Sequence, residues 1–343
     1  MSRKTPGWAK VTGTIAGGTL AALAGGLAYS RYGIDHAVPL PPALDAERET
    51  FLDAAAGQLS YYADRQGSGR PLVLIHSINA AASAYEMRPL FARYRGQRPV
   101  YALDLPGFGF SARANRAYTP QLYAAAIRAF LEHIGAARAG GADVVALSLG
   151  AEFAAWVALE HPQLIRSLAL ISPTGFSARE RATRRDAEAR THRVLAQPLY
   201  AQALYDALTS RRSLRAVLAR SFVREPDPGL VEYSYATAHQ PGARFAPLYF
   251  ISGQLFTPAI REHVYERLAQ PTLVLYDEDA YTRFETLLAT VRTRENWRVA
   301  RLVPSKGLPQ FDRPDETVAA LDQFWRDIAT GQPARPARAD GRV

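Results

Sequence analysis

The chain predicts an α/β fold: a mostly parallel sheet covered by helices on both faces. Three observations predict it. Short apolar runs of strand length alternate with stretches of helical pattern between about Ala43 and Ile328. The run Leu72–Ile75 holds no polar residue, as a strand buried on both faces requires. A third run, Val144–Leu147, leads through a small-residue turn into a helical pattern.

The elements follow in order. Leu59–Asp64 alternates loosely and leads to a Gly67-Ser68-Gly69 turn, the pattern of an antiparallel edge strand. Pro71–His76, Val100–Asp104 and Gly140–Leu147 read as central strands, followed by Ser167–Ile171, Thr272–Tyr276 and Trp297–Val303. Helices fit at Ala82–Tyr94, Pro120–His133, Leu149–Glu160 and Asp315–Ile328. The core is therefore expected over 43–175 and 271–329. Between Pro173 and Pro271 lie roughly a hundred residues, where a crossover needs a dozen or so. Segment 176–270 is accordingly read as a helical insertion, rich in arginine and, later, in aromatics such as Tyr249, Phe250 and Phe256. The tail 330–343 is expected to be unstructured.

The N-terminus adds a separate signal. Residues 1–10 carry Arg3, Lys4 and Lys10, and residues 11–30 carry no charge. At 1.5 Å per residue that stretch is about 30 Å long, the thickness of a bilayer core. The expected reading is a single-pass signal anchor with the globular domain on the outer side, periplasmic or extracellular. A cleaved signal peptide, with Ala22-Leu23-Ala24 as the cleavage triplet and a secreted product, is the alternative. A glycine-rich soluble segment is the third reading. Residues 31–42, with Val38-Pro39-Leu40-Pro41-Pro42, read as a stiff spacer.

The net charge of +9 comes from arginine, because Lys4, Lys10 and Lys306 are the only lysines. Such a balance favours anionic lipid as a partner. Nucleic acid is not expected, since no reader motif occurs and the arginines are spread over helical stretches. Without cysteine there is no disulfide and no thiolate metal site, and no metal or cofactor is expected.

The chemistry centres on Ser148. In Ala146-Leu147-Ser148-Leu149-Gly150 it sits where a buried strand turns sharply into a helix, the setting of a G-x-S-x-G nucleophile elbow with Ala146 in the first glycine position. The plain alternative is a helix N-cap. Two further motifs precede it: Leu72-Val73-Leu74-Ile75-His76-Ser77-Ile78-Asn79, and Asp104-Leu105-Pro106-Gly107-Phe108-Gly109-Phe110-Ser111. In this order and spacing the three resemble the α/β-hydrolase superfamily, in the branch whose insertion forms a cap over the site. The resemblance implies the α/β-hydrolase fold with a helical cap, here preceded by the expected membrane-anchor helix.

The resemblance also implies roles. Ser148 would be the nucleophile for acyl transfer on esters, thioesters or lipids. Leu149 and either Ile78 or Ser77 would supply the backbone N–H groups of an oxyanion hole, Ser77 replacing the family's glycine. His76, Asp104, Gly107, Gly109 and Gly150 would shape the loops. Asp279 is the first choice for the acid and Asp277 the second, with Glu278 between them; a solvated acidic turn is the bland reading.

The base is where the pattern departs. The family's closing loop runs G-H-x-P-x-x-E-x-P, and here it reads Gly307-Leu308-Pro309-Gln310-Phe311-Asp312-Arg313-Pro314, as though the histidine were deleted. No histidine follows His263. Lys306 is a substitute base only if desolvated, and His192 or His239 only if the insertion reaches down. Losing the base of a serine triad costs roughly a million-fold in turnover. The oxyanion hole and binding alone leave about a thousand- to ten-thousand-fold over water. The expectation is a membrane-anchored, catalytically degenerate protein of esterase- or lipase-like ancestry that binds a small apolar or ester-like ligand or a partner. The alternative is an active carboxylic-ester or lipid acyl hydrolase using Ser148 with a substitute base.

Overall fold

The computed structural model describes residues 24–178 and 184–331. Eight strands form one sheet in the order β1-β2-β4-β3-β5-β6-β7-β8. β1 (Glu47–Asp53) and β2 (Gly57–Asp64) make an antiparallel hairpin, and β2 pairs antiparallel with β4 (Val100–Asp104). β3 (Leu72–Ile75) lies between β4 and β5 (Ala142–Leu147), parallel to both. β6 (Ile165–Ile171), β7 (Thr272–Glu278) and β8 (Trp297–Lys306) extend the parallel sheet. All the expected strands are present. The expected edge strand, however, lies second, because β1 covers it. β1 escaped the periodicity reading because it is largely exposed, with Leu52 in solvent and Phe51 turned to the core.

The apolar runs bury alternate residues on opposite faces, as the two-residue period of a strand dictates. Val73, Ile75, Val144 and Ala146 face one core, with Tyr123, Phe130 and Phe153 from α2 (Pro120–His133) and α3 (Gly150–Glu160). Leu72, Leu74, Val145 and Leu147 face the other, with Phe91 of α1 (Arg88–Tyr94) and Phe324 near the C-terminus. The expected helix Ala82–Tyr94 divides into a 3-10 turn, Ala84–Met87, and α1. Pro89 explains the break: it is tolerated in a first turn but cannot donate within a longer helix.

Between β6 and β7 the chain forms α4 (Arg185–Leu195), α5 (Ala201–Leu208), α6 (Arg211–Leu218), α7 (Pro228–Ala238), α8 (Phe245–Ser252) and α9 (Ile260–His263). They lie over the carboxyl ends of the strands. The Tyr205 hydroxyl donates to Ala80 O at 2.7 Å, the Tyr281 hydroxyl to Val217 O at 3.0 Å, and Val223 N to Asp312 at 3.1 Å. The chain closes with α10 (Leu287–Arg292), the short α11 (Pro309–Asp312) and α12 (Pro314–Thr330).

Residues 24–32 are helical, and the segment after them is fastened to the inserted helices. Asp206, 3% exposed, accepts from Ser30 Oγ at 2.5 Å and pairs with His36 Nε2 at 3.0 Å. Gln240 Nε2 donates to Val38 O at 2.6 Å. Among the described residues no helix is long and apolar enough to cross a membrane. Residues 1–10, most of the expected span 11–30 and most of the tail 330–343 lie outside the described residues.

Candidate active site

The elbow is built as the small residues around it require. Ser148 N still donates to Ile171 O at 2.8 Å, completing the β5–β6 ladder. The backbone of Ser148 then turns to φ +53, and α3 begins two residues later. A side-chain-bearing residue held there stores about 1–3 kcal/mol of strain. Gly150 is needed for closeness: a Cβ there would overlap His76 O, so the loop after β3 lies directly against the start of α3.

That loop is held by buried polar side chains. His76 is fully buried, and burial lowers its pKa to about 4. The neutral ring donates from Nδ1 to Ser77 O (2.6 Å) and accepts Leu105 N–H at Nε2 (2.9 Å), which fixes its tautomer and makes it a brace between two loops. Ser77 N–H donates to Glu86 Oε2 at 2.8 Å and is therefore not available to a ligand. Ile78 N–H and Leu149 N–H have no acceptor among the described residues. Of the two candidates after β3, Ile78 is the one left to pair with Leu149.

Asp104 serves the frame. Its carboxylate accepts Ala84 N–H and Phe110 N–H, both at 3.0 Å, and burial raises its pKa to about 6. Gly109, at φ +52, lies so close that a Cβ would overlap the Asp104 carboxylate. Gly107, at φ +89, lies against Tyr118 and against Ala246 of α8. These residues hold the loop after β4 under the insertion.

On the acid side the two aspartates differ in what they have left to offer. Asp277 accepts Arg301 Nε (2.9 Å) on one oxygen and Ser305 N (3.0 Å) on the other. Asp279 accepts Tyr281 N (2.6 Å) and Thr282 N (3.1 Å) on Oδ1 alone, and no described residue donates to Oδ2. Burial raises the Asp279 pKa above the ordinary carboxylate value. Oδ2 faces Gly307: a Cβ built on that glycine would lie 3.0 Å from it.

All seven histidines fall within the described residues, and none hydrogen-bonds the Ser148 hydroxyl. His36 pairs with Asp206, His133 with Tyr61, His239 with Tyr235 O and His263 with Pro258 O. The His192 ring lies 3.8 Å from that of Tyr249. Lys306 engages Asp312 through its backbone N–H and makes no hydrogen bond to Ser148. A cleft of about 290 Å³ opens beside the acid turn, lined by Glu152, Thr174, Phe256, Thr257, Tyr281 and Thr282, but Ser148 is not part of its wall.

The strand order and the strained serine narrow the ancestry, and sequence comparison decides it. Residues 72–321 match the Alpha/beta hydrolase family. The chain belongs to that family. Among curated relatives it is 31% identical over 125 residues to the uncharacterized hydrolase YugF of Bacillus subtilis, covering 36% of this chain and 44% of that one. It is 33% identical over 145 residues to the dihydrolipoyllysine-residue acetyltransferase component of the acetoin cleaving system of Cupriavidus necator, covering 39% and 36%. The chain thus spans less than half the length of these relatives. Among solved structures it is similar to a membrane phospholipase A described as a bacterial virulence factor. The TM-score is 0.65 at 21% identity, covering 94% of this chain and 97% of that one. A thermophilic esterase from Thermogutta terrifontis gives 0.63 at 19%, covering 82% and 99%. At such identities the likeness is one of fold.

Gly307, two residues before Pro309, is the position whose side-chain direction meets Asp279 Oδ2 at 3.0 Å and Ser221 Cβ at 3.4 Å. Sequence reasoning also missed Glu86, which holds Ser77 N, Ser77 Oγ (3.0 Å) and Asn79 Nδ2 (2.7 Å) and is 4% exposed. Nothing in the local pattern marks it beyond a charge inside an otherwise buried turn.

Proposed function

We propose that this chain is a serine-hydrolase-fold protein of esterase- or lipase-like ancestry whose own residues do not activate Ser148. It binds a small apolar or ester-like ligand beneath its helical cap, the insertion between β6 and β7, without turning that ligand over. One observation supports this reading above the others: no histidine or lysine hydrogen-bonds the Ser148 hydroxyl, and it is glycine that stands opposite the open oxygen of Asp279. A hydroxyl whose proton has no acceptor attacks a carbonyl about a million-fold more slowly than an activated one. The test is covalent labelling by a fluorophosphonate probe. The folded protein is expected to label no faster than Ser148→Ala and to hydrolyse short-chain esters at the rate of that variant. Labelling of the unmodified protein, abolished by Ser148→Ala, would instead establish an active acyl hydrolase.

The protein is further proposed to be tethered to a membrane with its globular domain outside. Support comes from the basic residues 1–10, the uncharged stretch 11–30, the helix over residues 24–32, and the fastening of Ser30 and His36 to the cap through Asp206. The similar membrane phospholipase A is consistent with it. Arginines on α6, Arg211, Arg212 and Arg215, would then meet anionic headgroups. Flotation of residues 43–343 with anionic but not neutral liposomes tests the headgroup contact, and equal flotation with both ends it.

A further inference from the structure

The carboxyl ends of the strands carry Ser148 and the inserted helices, and their amino ends carry a groove that none of the preceding chemistry uses. It encloses about 600 Å³, within the range of small-molecule sites. Arg70 enters it from the approach to β3, and Asp143 and Arg166 from the second positions of β5 and β6. Arg98 comes from the chain between α1 and β4, and Trp325 and Ile328 from α12. Asp143 and Ser148 lie five residues apart along β5 and its continuation. About 16 Å therefore separates the groove from the nucleophile elbow.

The floor and one wall of the groove are complete in themselves. Arg98 donates from Nε and Nη2 to Arg70 O at 2.9 and 2.7 Å and pairs with Asp143, whose other oxygen accepts the Ser167 hydroxyl at 2.6 Å. The Arg98 guanidinium lies 4.8 Å from the centre of the Trp325 ring, and Tyr94 meets that ring edge-on at 5.4 Å. The Tyr94 hydroxyl is fixed in turn by Asp322 at 2.9 Å. The opposite rim is different. Arg70 Nη1 donates to Ala139 O at 3.1 Å and Gly140 O at 2.9 Å, which holds its guanidinium in place without a carboxylate. The Arg166 guanidinium has no hydrogen bond or ion pair among the described residues, and its Cβ lies beside Gly141, next in the chain to the glycine that Arg70 covers. Of the charged side chains that line the groove, three are arginines and two are aspartates, so one positive charge is in excess.

We propose that this groove is a binding site for a small organic acid, a single carboxylate on an apolar body, separate from the site at Ser148. The carboxylate meets the Arg166 guanidinium and the edge of Arg70 turned away from the Ala139 and Gly140 carbonyls, and the body lies along Trp325 and Ile328. A lone exposed arginine needs no partner. Two of them on the rim of an aromatic-walled groove, over a floor whose own charges are paired, favour a group that can accept from both. One excess charge matches a monoanion, whereas a phosphate dianion would leave the groove negative. The wall and Arg70 are already held from behind, so binding costs little ordering of the protein.

The experiment is a ligand-observed NMR titration of the full chain with benzoate and with hexanoate. Benzamide and hexanamide serve as neutral counterparts, and phenyl phosphate as the dianion. The result expected is saturable binding of at least one acid, at least tenfold tighter than its amide and tighter than phenyl phosphate. Arg166→Gln should weaken that binding at least fivefold and Arg166→Lys by less, because the lysine keeps the charge. Arg166 has no bond within the fold to lose, so both variants should keep the parent's thermal midpoint. Arg128→Gln, an exposed arginine on α2 outside the groove, should leave the affinity unchanged. Absence of saturable binding by both acids overturns the site. So does an acid whose affinity is the same in Arg166→Gln, since it then binds elsewhere. An amide that binds as tightly as its acid, or phenyl phosphate that binds more tightly than either acid, overturns the assignment of a monoanion.

Discussion

Glu86 offers a quantitative test of how the loop after β3 is held. Its carboxylate is buried and receives three hydrogen bonds, from Ser77 N, Ser77 Oγ and Asn79 Nδ2, yet burial outweighs them and raises its pKa from 4.5 to about 6. At about 1.36 kcal/mol per unit, the ionised form costs the folded state about 2 kcal/mol. The sign follows from proton binding. Between pH 4.5 and 6 the native state holds a proton that the unfolded state has released, so stability falls as pH rises through that window and is flat above it. Glu86→Gln cannot ionise and should lose this slope. Asp104, whose pKa burial raises from 3.8 to about 6, keeps its own slope in both proteins and serves as the control. Urea unfolding at a series of pH values measures the difference between variant and parent. It should move by about 2 kcal/mol in the variant's favour from pH 4.5 to pH 7. A difference constant to within about 0.5 kcal/mol over that range would show that Glu86 is not the desolvated carboxylate described here.

Three other substitutions probe the frame. Gly109→Ala places a Cβ on the Asp104 carboxylate at φ +52, and should cost more than about 3 kcal/mol or prevent folding, read by chemical denaturation. At position 148, glycine should be more stable than alanine by about 1 kcal/mol, because only glycine relaxes at φ +53. At an ordinary helix position the order would be reversed, so the sign alone decides. Asp206→Ala removes the acceptor shared by Ser30, His36 and Gln202. It should cost about 2 kcal/mol and expose residues 30–38 to hydrogen exchange, while exchange in β5 stays unchanged.

The fold was legible because parallel strands buried on both faces read as apolar runs, and the elbow because a serine among small residues at a strand end has few other uses. β1 was not legible: a covering strand with Leu52 in solvent follows no burial pattern. The choice among Asp277, Glu278 and Asp279 was equally closed to sequence, since it depends on which oxygen remains open once Arg301, Ser305, Tyr281 and Thr282 have bonded. The same is true of Ser77 against Ile78, which differ because a buried Glu86, eight residues beyond Ile78 and outside every motif, takes the Ser77 N–H. Gly307 is the instructive case. Its place two residues before Pro309 was readable from spacing, but its direction toward Asp279 Oδ2 was not, because that depends on how β7 and β8 lie side by side.

Asp279 finally separates a relic from a site still in use. Its structural duty is to accept the Tyr281 and Thr282 N–H groups on one oxygen, a task the carbonyl of asparagine performs equally well. The other oxygen contributes nothing to the turn, and burial disfavours the charge. Because the folded pKa lies above the unfolded value, the penalty is absent below the unfolded pKa and complete above the folded one. Asp279→Asn should therefore stabilise the protein at neutral pH, with the gain appearing as pH rises through the carboxylate range, measured by denaturant midpoints. If the variant is instead less stable at pH 7 with the same thermal midpoint at low pH, the open oxygen has a donor within the chain. If the gain is found, the carboxylate is held at a net cost to the fold, as a group kept to orient a proton carrier would be.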